Sequence, residues 1–147
     1  MAASDPFEED DKLWKVAPEY KAFHDELTQV LNSLEARQAQ GEGADSCMGS
    51  NEVAFLIAYM QNPHPRARAE AVVAAGGIWR SDPAKATLLP HVTSLLSDPV
   101  WQVRMWAANT LGEIGDKDMI PHLKPLLQDR PEVARTTQRA INGLEQL

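Results

Sequence analysis

The sequence predicts an all-α chain of about seven helices: one N-terminal helix, then three helical hairpins stacked as a short, curved solenoid. Two observations carry this reading. After residue 17, apolar residues recur at three- and four-residue steps, the spacing of one face of an α-helix, and not in the alternation of a half-buried strand. The second part of the chain also repeats itself at lags of 31 and 36 residues, a period typical of stacked helical units. The chain of 147 residues suits a single domain, and its 44% hydrophobic and 24% charged content excludes a wholly disordered or fibrous protein.

Residues 1–16 read as an acidic arm. The first eleven residues hold five acids and no base, which no secretory signal would do, and the stretch shows no helical period. Phe7, Leu13, Trp14 and Val16 give it something to bury, so it is expected to be partly ordered yet dispensable for folding. Residues 17–40 form a capping helix: Pro18 suits a first turn, and Tyr20, Phe23, Leu27, Val30, Leu31 and Leu34 share a face. Residues 41–51, with three glycines among small polar residues, read as a flexible loop.

The repeats fill residues 52–147, as units 52–80, 87–116 and 118–147. Leu89-Pro90-His91 matches Ile120-Pro121-His122, and Leu95, Leu96, Asp98 and Arg104 match Leu126, Leu127, Asp129 and Arg135. Tyr59, Met60, Asn62, Pro63, Arg68, Ala71 and Gly76 match Leu95, Leu96, Asp98, Pro99, Arg104, Ala107 and Gly112. Each unit is helix, turn, helix, with Asn62-Pro63, Asp98-Pro99 or Asp129-Arg130-Pro131 at the turn. A proline there suits both the turn and the first residues of the next helix. Small residues at Ala71, Ala107 and Ala108 let neighbouring helices approach closely.

Asp98-Pro99, Val103-Arg104, Ala107-Ala108 and Leu111-Gly112-Glu113-Ile114-Gly115-Asp116 together resemble the HEAT repeat, in particular the short bacterial form of the phycobilisome lyases. The resemblance spans about residues 52–147 and is strongest in the second unit. It implies a right-handed α-α superhelix whose second helices line the concave face, and a protein-binding role. The third unit departs from the pattern, with Gln138 and Arg139 where the second has Ala107 and Ala108. Polar residues there suit a terminal cap, because a last unit has no neighbour to cover it.

The recurrent pairs Asn62/Arg68, Asp98/Arg104 and Asp129/Arg135 could pass for a catalytic row. They are read as a structural ladder, in which each Asp caps its own following helix and each Arg bridges to a neighbouring turn. His91 and His122 recur at one position, so two stacked rings could share a metal; each follows a proline at the start of a first helix, half exposed, and no metal is assigned. A family of iron hydroxylases built on related repeats uses His-Glu pairs, and this sequence has no His-Glu dipeptide. Cys47 is the only cysteine, with no evident base beside it, so no nucleophile is assigned. Neither cofactor nor catalytic residue is expected.

Val100, Trp101, Met105 and Trp106 are the candidate partner-binding residues. Trp101 and Trp106 stand where the sister units carry non-core residues, and Trp101 and Met105 share a face. The alternative is that both tryptophans pack, under the preceding loop or against the N-terminal arm. Trp14 and Trp79 are read as packing residues.

Charge narrows the partner. Eleven acids against four bases in residues 1–45 account for the whole net charge of −7, and residues 46–147 hold ten of each. No basic stripe is available for phosphates, which disfavours direct nucleic-acid binding, and no apolar run is long enough to span a membrane. The expected function is a cytoplasmic, non-catalytic protein-binding module, adaptor, regulatory or chaperone-like, that holds its partner along the second helices. Two alternatives remain open: an accessory subunit of a bilin-lyase-type enzyme, implied by the repeat subtype, and an acidic nucleic-acid mimic that occupies a basic partner.

Overall fold

The computed structural model describes residues 6–147, which form eight α-helices and no strand. They are α1 (Pro6–Val16), α2 (Pro18–Gln38), α3 (Ser50–Met60), α4 (Pro65–Ala75), α5 (Ala84–Ser94), α6 (Trp101–Ile114), α7 (Ile120–Leu123) and α8 (Pro131–Glu145). α3/α4, α5/α6 and α7/α8 are the three hairpins. One continuous apolar core runs from Phe7 to Leu144.

Proline explains several boundaries. α2, α4 and α8 open on Pro18, Pro65 and Pro131, where the fixed φ suits a helix and the missing N–H would have had no partner. Of the two places expected for them, Pro63 and Pro99 take the turn, two residues ahead of α4 and α6. In the third unit Pro125 lacks the amide hydrogen needed to continue α7, and the chain tightens into a 3-10 turn over Lys124–Gln128.

The acidic N-terminal stretch was expected as a partly ordered arm without helical period. From Pro6 it is a helix, and Trp14 is fully buried, in ring contact with Tyr20 (5.6 Å), Phe23 (5.3 Å) and His64 (4.8 Å). Phe7 is buried as well, beneath the Arg66 guanidinium. These anchors are seven residues apart, two turns along one helical face, a period too sparse to register in the sequence. Residues 1–5 of the expected arm lie outside the described residues.

Residues 41–51 are also less free than their composition suggests. Ser46 is buried, and its hydroxyl oxygen accepts the Trp79 indole N–H (2.9 Å) and the Gly43 N–H (2.9 Å). Met48 is buried too, and its N–H donates to Asp82 (2.8 Å). Gly41 supplies the one positive φ among the described residues, +99°, with which the chain leaves α2.

The second helices pack closely. A Cβ on Gly112 would lie 2.8 Å from the Ala140 Cβ and 2.9 Å from its Cα, so α6 and α8 meet where both side chains are minimal. Ala in place of Gly normally stabilises a helix by about 1 kcal/mol. Here the two backbones would have to part, at about 1 to 3 kcal/mol, so Gly112→Ala is expected to lower stability. Chemical denaturation checks the sign, and adding Ala140→Gly should restore part of the loss. In the last unit Gln138 and Arg139 are exposed on the outer side of α8, in contrast to the fully buried Ala107 and Ala108.

Candidate docking groove

Two arginines set the register of the repeats. Arg68 donates through Nε and Nη2 to both Asp98 oxygens (2.8 and 3.0 Å), and through Nη1 to the Asn62 and Pro63 carbonyls (2.9 and 3.1 Å). Arg104 repeats the arrangement one unit on, with Asp129 (2.8 and 3.0 Å) and the Asp98 carbonyl (2.9 Å). Each arginine therefore joins its own turn to the following one. Arg135, in the last unit, is exposed and has no following turn within the chain.

The Asn and Asp side chains at the turns do not cap the following helices, as was expected of the aspartates. Asn62 and Asp98 accept the N–H two residues on (His64 and Val100, 2.9 Å each), and Asp129 accepts the N–H of Arg130 (2.7 Å), all before the helix begins. The proline after Asn62 and Asp98 forces this spacing, since it offers no N–H of its own. Asp82 makes the same turn at Ala84 (2.9 Å) and was not identified in the sequence, although Ser81-Asp82-Pro83 duplicates Ser97-Asp98-Pro99.

The resulting stack places α2, α4 and α6 side by side and parallel. Glu19 faces His64 (3.7 Å) where α2 and α4 begin, and Gln38 donates to the Gly77 carbonyl (2.8 Å) where they end. Thr110 of α6 donates to the Val72 carbonyl of α4 (3.0 Å). Between them lies a groove of about 430 Å³, with α4 as floor (Arg66, Ala69, Glu70, Val73), α2 as one wall (His24, Leu27, Thr28, Leu31) and Trp106 of α6 as the other. Leu31, Val73 and Trp106 are 39%, 47% and 36% exposed, three large apolar groups from three helices around one depression. α1 lies beside the Arg66 end, where Phe7 meets the guanidinium, and Arg66 also pairs with Glu70 (3.3 Å).

Of the four residues nominated from the sequence, only Trp106 belongs to this groove. Val100, Trp101 and Met105 are partly buried and pack against the core, and the Trp101 ring is covered by the Arg130 guanidinium at 4.0 Å. The cover over Trp101 comes from the third unit, which the pattern of a single repeat could not show. Leu31 and Val73 were not singled out as a surface. Each follows a buried valine, Val30 and Val72, so each lies about 100° around its helix from the buried stripe. Trp79 is half-buried and Trp14 fully buried.

Two other cavities are lined differently. One, of about 460 Å³ between α2 and α3, contains the Arg37–Glu52 pair (2.6 Å). The other, of about 420 Å³, contains Cys47, whose thiol is pushed above its ordinary pKa by desolvation and by the Asp82 and Glu42 carboxylates. A raised thiol pKa opposes nucleophilic reactivity. His122 is exposed and His91 half-buried, and among the described residues no group of three or more His, Cys, Asp or Glu is placed to hold a metal ion. No described helix is long and apolar enough to cross a membrane.

A family model described as HEAT repeats matches residues 52–145. No curated protein and no solved structure matches the chain.

Proposed function

Because the chain belongs to the HEAT-repeat family, we propose that it is a non-catalytic protein-binding module whose partner docks in the groove between α2, α4 and α6. The observation that carries this reading is the convergence of Leu31, Val73 and Trp106 on one depression. Single exposed apolar residues are ordinary on a folded surface, whereas a cluster framed by polar side chains marks an interaction site. Trp is also the residue type that most often anchors an interface.

The test is affinity capture from native lysate with the wild type beside Val73→Asp, Trp106→Ala and, as a control on another surface, Leu13→Ala. Leu13→Ala should stay within about 0.5 kcal/mol of wild-type stability, whereas Val73→Asp and Trp106→Ala, at half-covered positions, should cost about 1 to 2 kcal/mol and leave the chain folded, which thermal unfolding checks before capture. A partner retained by Leu13→Ala and lost by both groove variants is the expected result. Retention by Val73→Asp would place the interface elsewhere.

A further inference from the structure

The groove is electrically polarised. α2, α4 and α6 run parallel, so their C-termini, the negative ends of three helix dipoles, gather near Gly76 and Gly77. Two acidic residues lie toward that end by helical spacing: Glu35 is one turn beyond Leu31 on α2, and Glu113, whose carboxylate fills the place of a Cβ on Gly76, is two turns beyond Trp106 on α6. Neither is ion-paired among the described residues, whereas Arg37 is engaged by Glu52 and Arg80 by the carbonyls of Gly112 and Gly115. At the opposite end the three helix N-termini gather, and the charge of Arg66 there is already met by Glu70 (3.3 Å).

Resting on the docking role proposed above, we infer that the occupant is an amphipathic helix of a partner protein, laid antiparallel to α4, with apolar residues on Leu31, Val73 and Trp106 and lysines or arginines in its first turn beside Glu35 and Glu113. The walls and floor present side chains, and their backbone amides are engaged within helices. An occupant must therefore satisfy its own backbone, which a helix does and an extended strand does not. The antiparallel direction opposes its dipole to those of the three groove helices and brings its N-terminal end to the carboxylates. The net charge of −7 favours approach of a basic partner over a second copy of this acidic chain.

The probes are labelled amphipathic Leu/Ala peptides of about fifteen residues, long enough to form helix on binding. They share one apolar stripe and carry lysines in the first turn, lysines in the last turn, or glutamates in the first turn. Fluorescence anisotropy should rank the first-turn lysine peptide tightest. The double variant Glu35→Gln, Glu113→Gln should weaken that peptide by about fivefold, with little effect on the last-turn lysine peptide. Val73→Asp should abolish binding of all three. Equal binding of the three peptides, or the same loss for both lysine peptides in the double variant, would overturn the charge and direction assigned here while leaving the groove as a docking site. Unchanged binding to Val73→Asp would overturn the docking role with it. A concentration-dependent dimer in sedimentation that Val73→Asp abolishes would replace the basic helix with a second copy of the chain.

Discussion

Trp14→Ala is expected to lower the stability of the chain by about 3 to 5 kcal/mol, the range for removing a fully buried large aromatic side chain. Trp14 joins four elements: its ring meets Tyr20 and Phe23 of α2 and His64 at the start of α4, and Phe23 carries the contact to Phe55 and Tyr59 of α3. Its loss should shift the melting temperature down by about 10 °C or more. Trp14→Phe should cost much less. It keeps a ring in the cluster and removes an indole N–H that has no hydrogen-bond acceptor among the described residues, a group that is itself unfavourable to bury. Deleting residues 1–16 should cost at least as much as Trp14→Ala. A truncated chain that unfolds at the wild-type temperature would return α1 to the status of a dispensable arm.

Arg68→Ala is expected to destabilise by about 3 to 5 kcal/mol, more than the roughly 1 to 3 kcal/mol for Arg104→Ala. The two arginines occupy equivalent places, and burial separates them. Side-chain exposure is 12% and 4% for Arg68 and Asp98, against 21% and 18% for Arg104 and Asp129. Without Arg68, the Asp98 carboxylate would keep only the Val100 N–H, in a site with little access for water. Lysine should rescue each variant only in part, since one ammonium cannot bond the following Asp in two places and its own turn as well.

The Arg104 variant carries a pH signature. Hydrogen bonding from the Arg104 side chain is the largest influence on Asp129 and holds its carboxyl below the ordinary pKa, with the Arg130 N–H and the two cationic charges adding to it against desolvation. A depressed folded pKa stabilises the protein above the ordinary carboxyl pKa, and that contribution is lost as pH falls through the folded value. Arg104→Ala should therefore show less acid destabilisation below about pH 4 than the wild type. Denaturation curves at neutral and acid pH check both effects. Equal losses for the two arginine variants, or wild-type stability in either, would remove the ladder from the scaffold.

The helices, the three hairpins and the residues of the ladder were legible in the sequence because local periodicity and internal repetition record them directly. A residue with the same task in successive units recurs at the same place, as Asp98 recurs at Asp129 and Arg68 at Arg104. Partner choice and exposure were decided by tertiary structure. The bond from Arg68 reaches an aspartate 30 residues away, and that from Arg104 one 25 residues away, over a distance set by how the units stack. Trp101 and Trp106 look alike in the sequence, yet the third unit lays Arg130 over one and leaves the other beside the groove. Trp14 lies in an acidic stretch with no dense apolar stripe, and becomes core because α2 and α4 close around it. Burial depends on every neighbour at once, and for these residues the neighbours come from other helices of the stack.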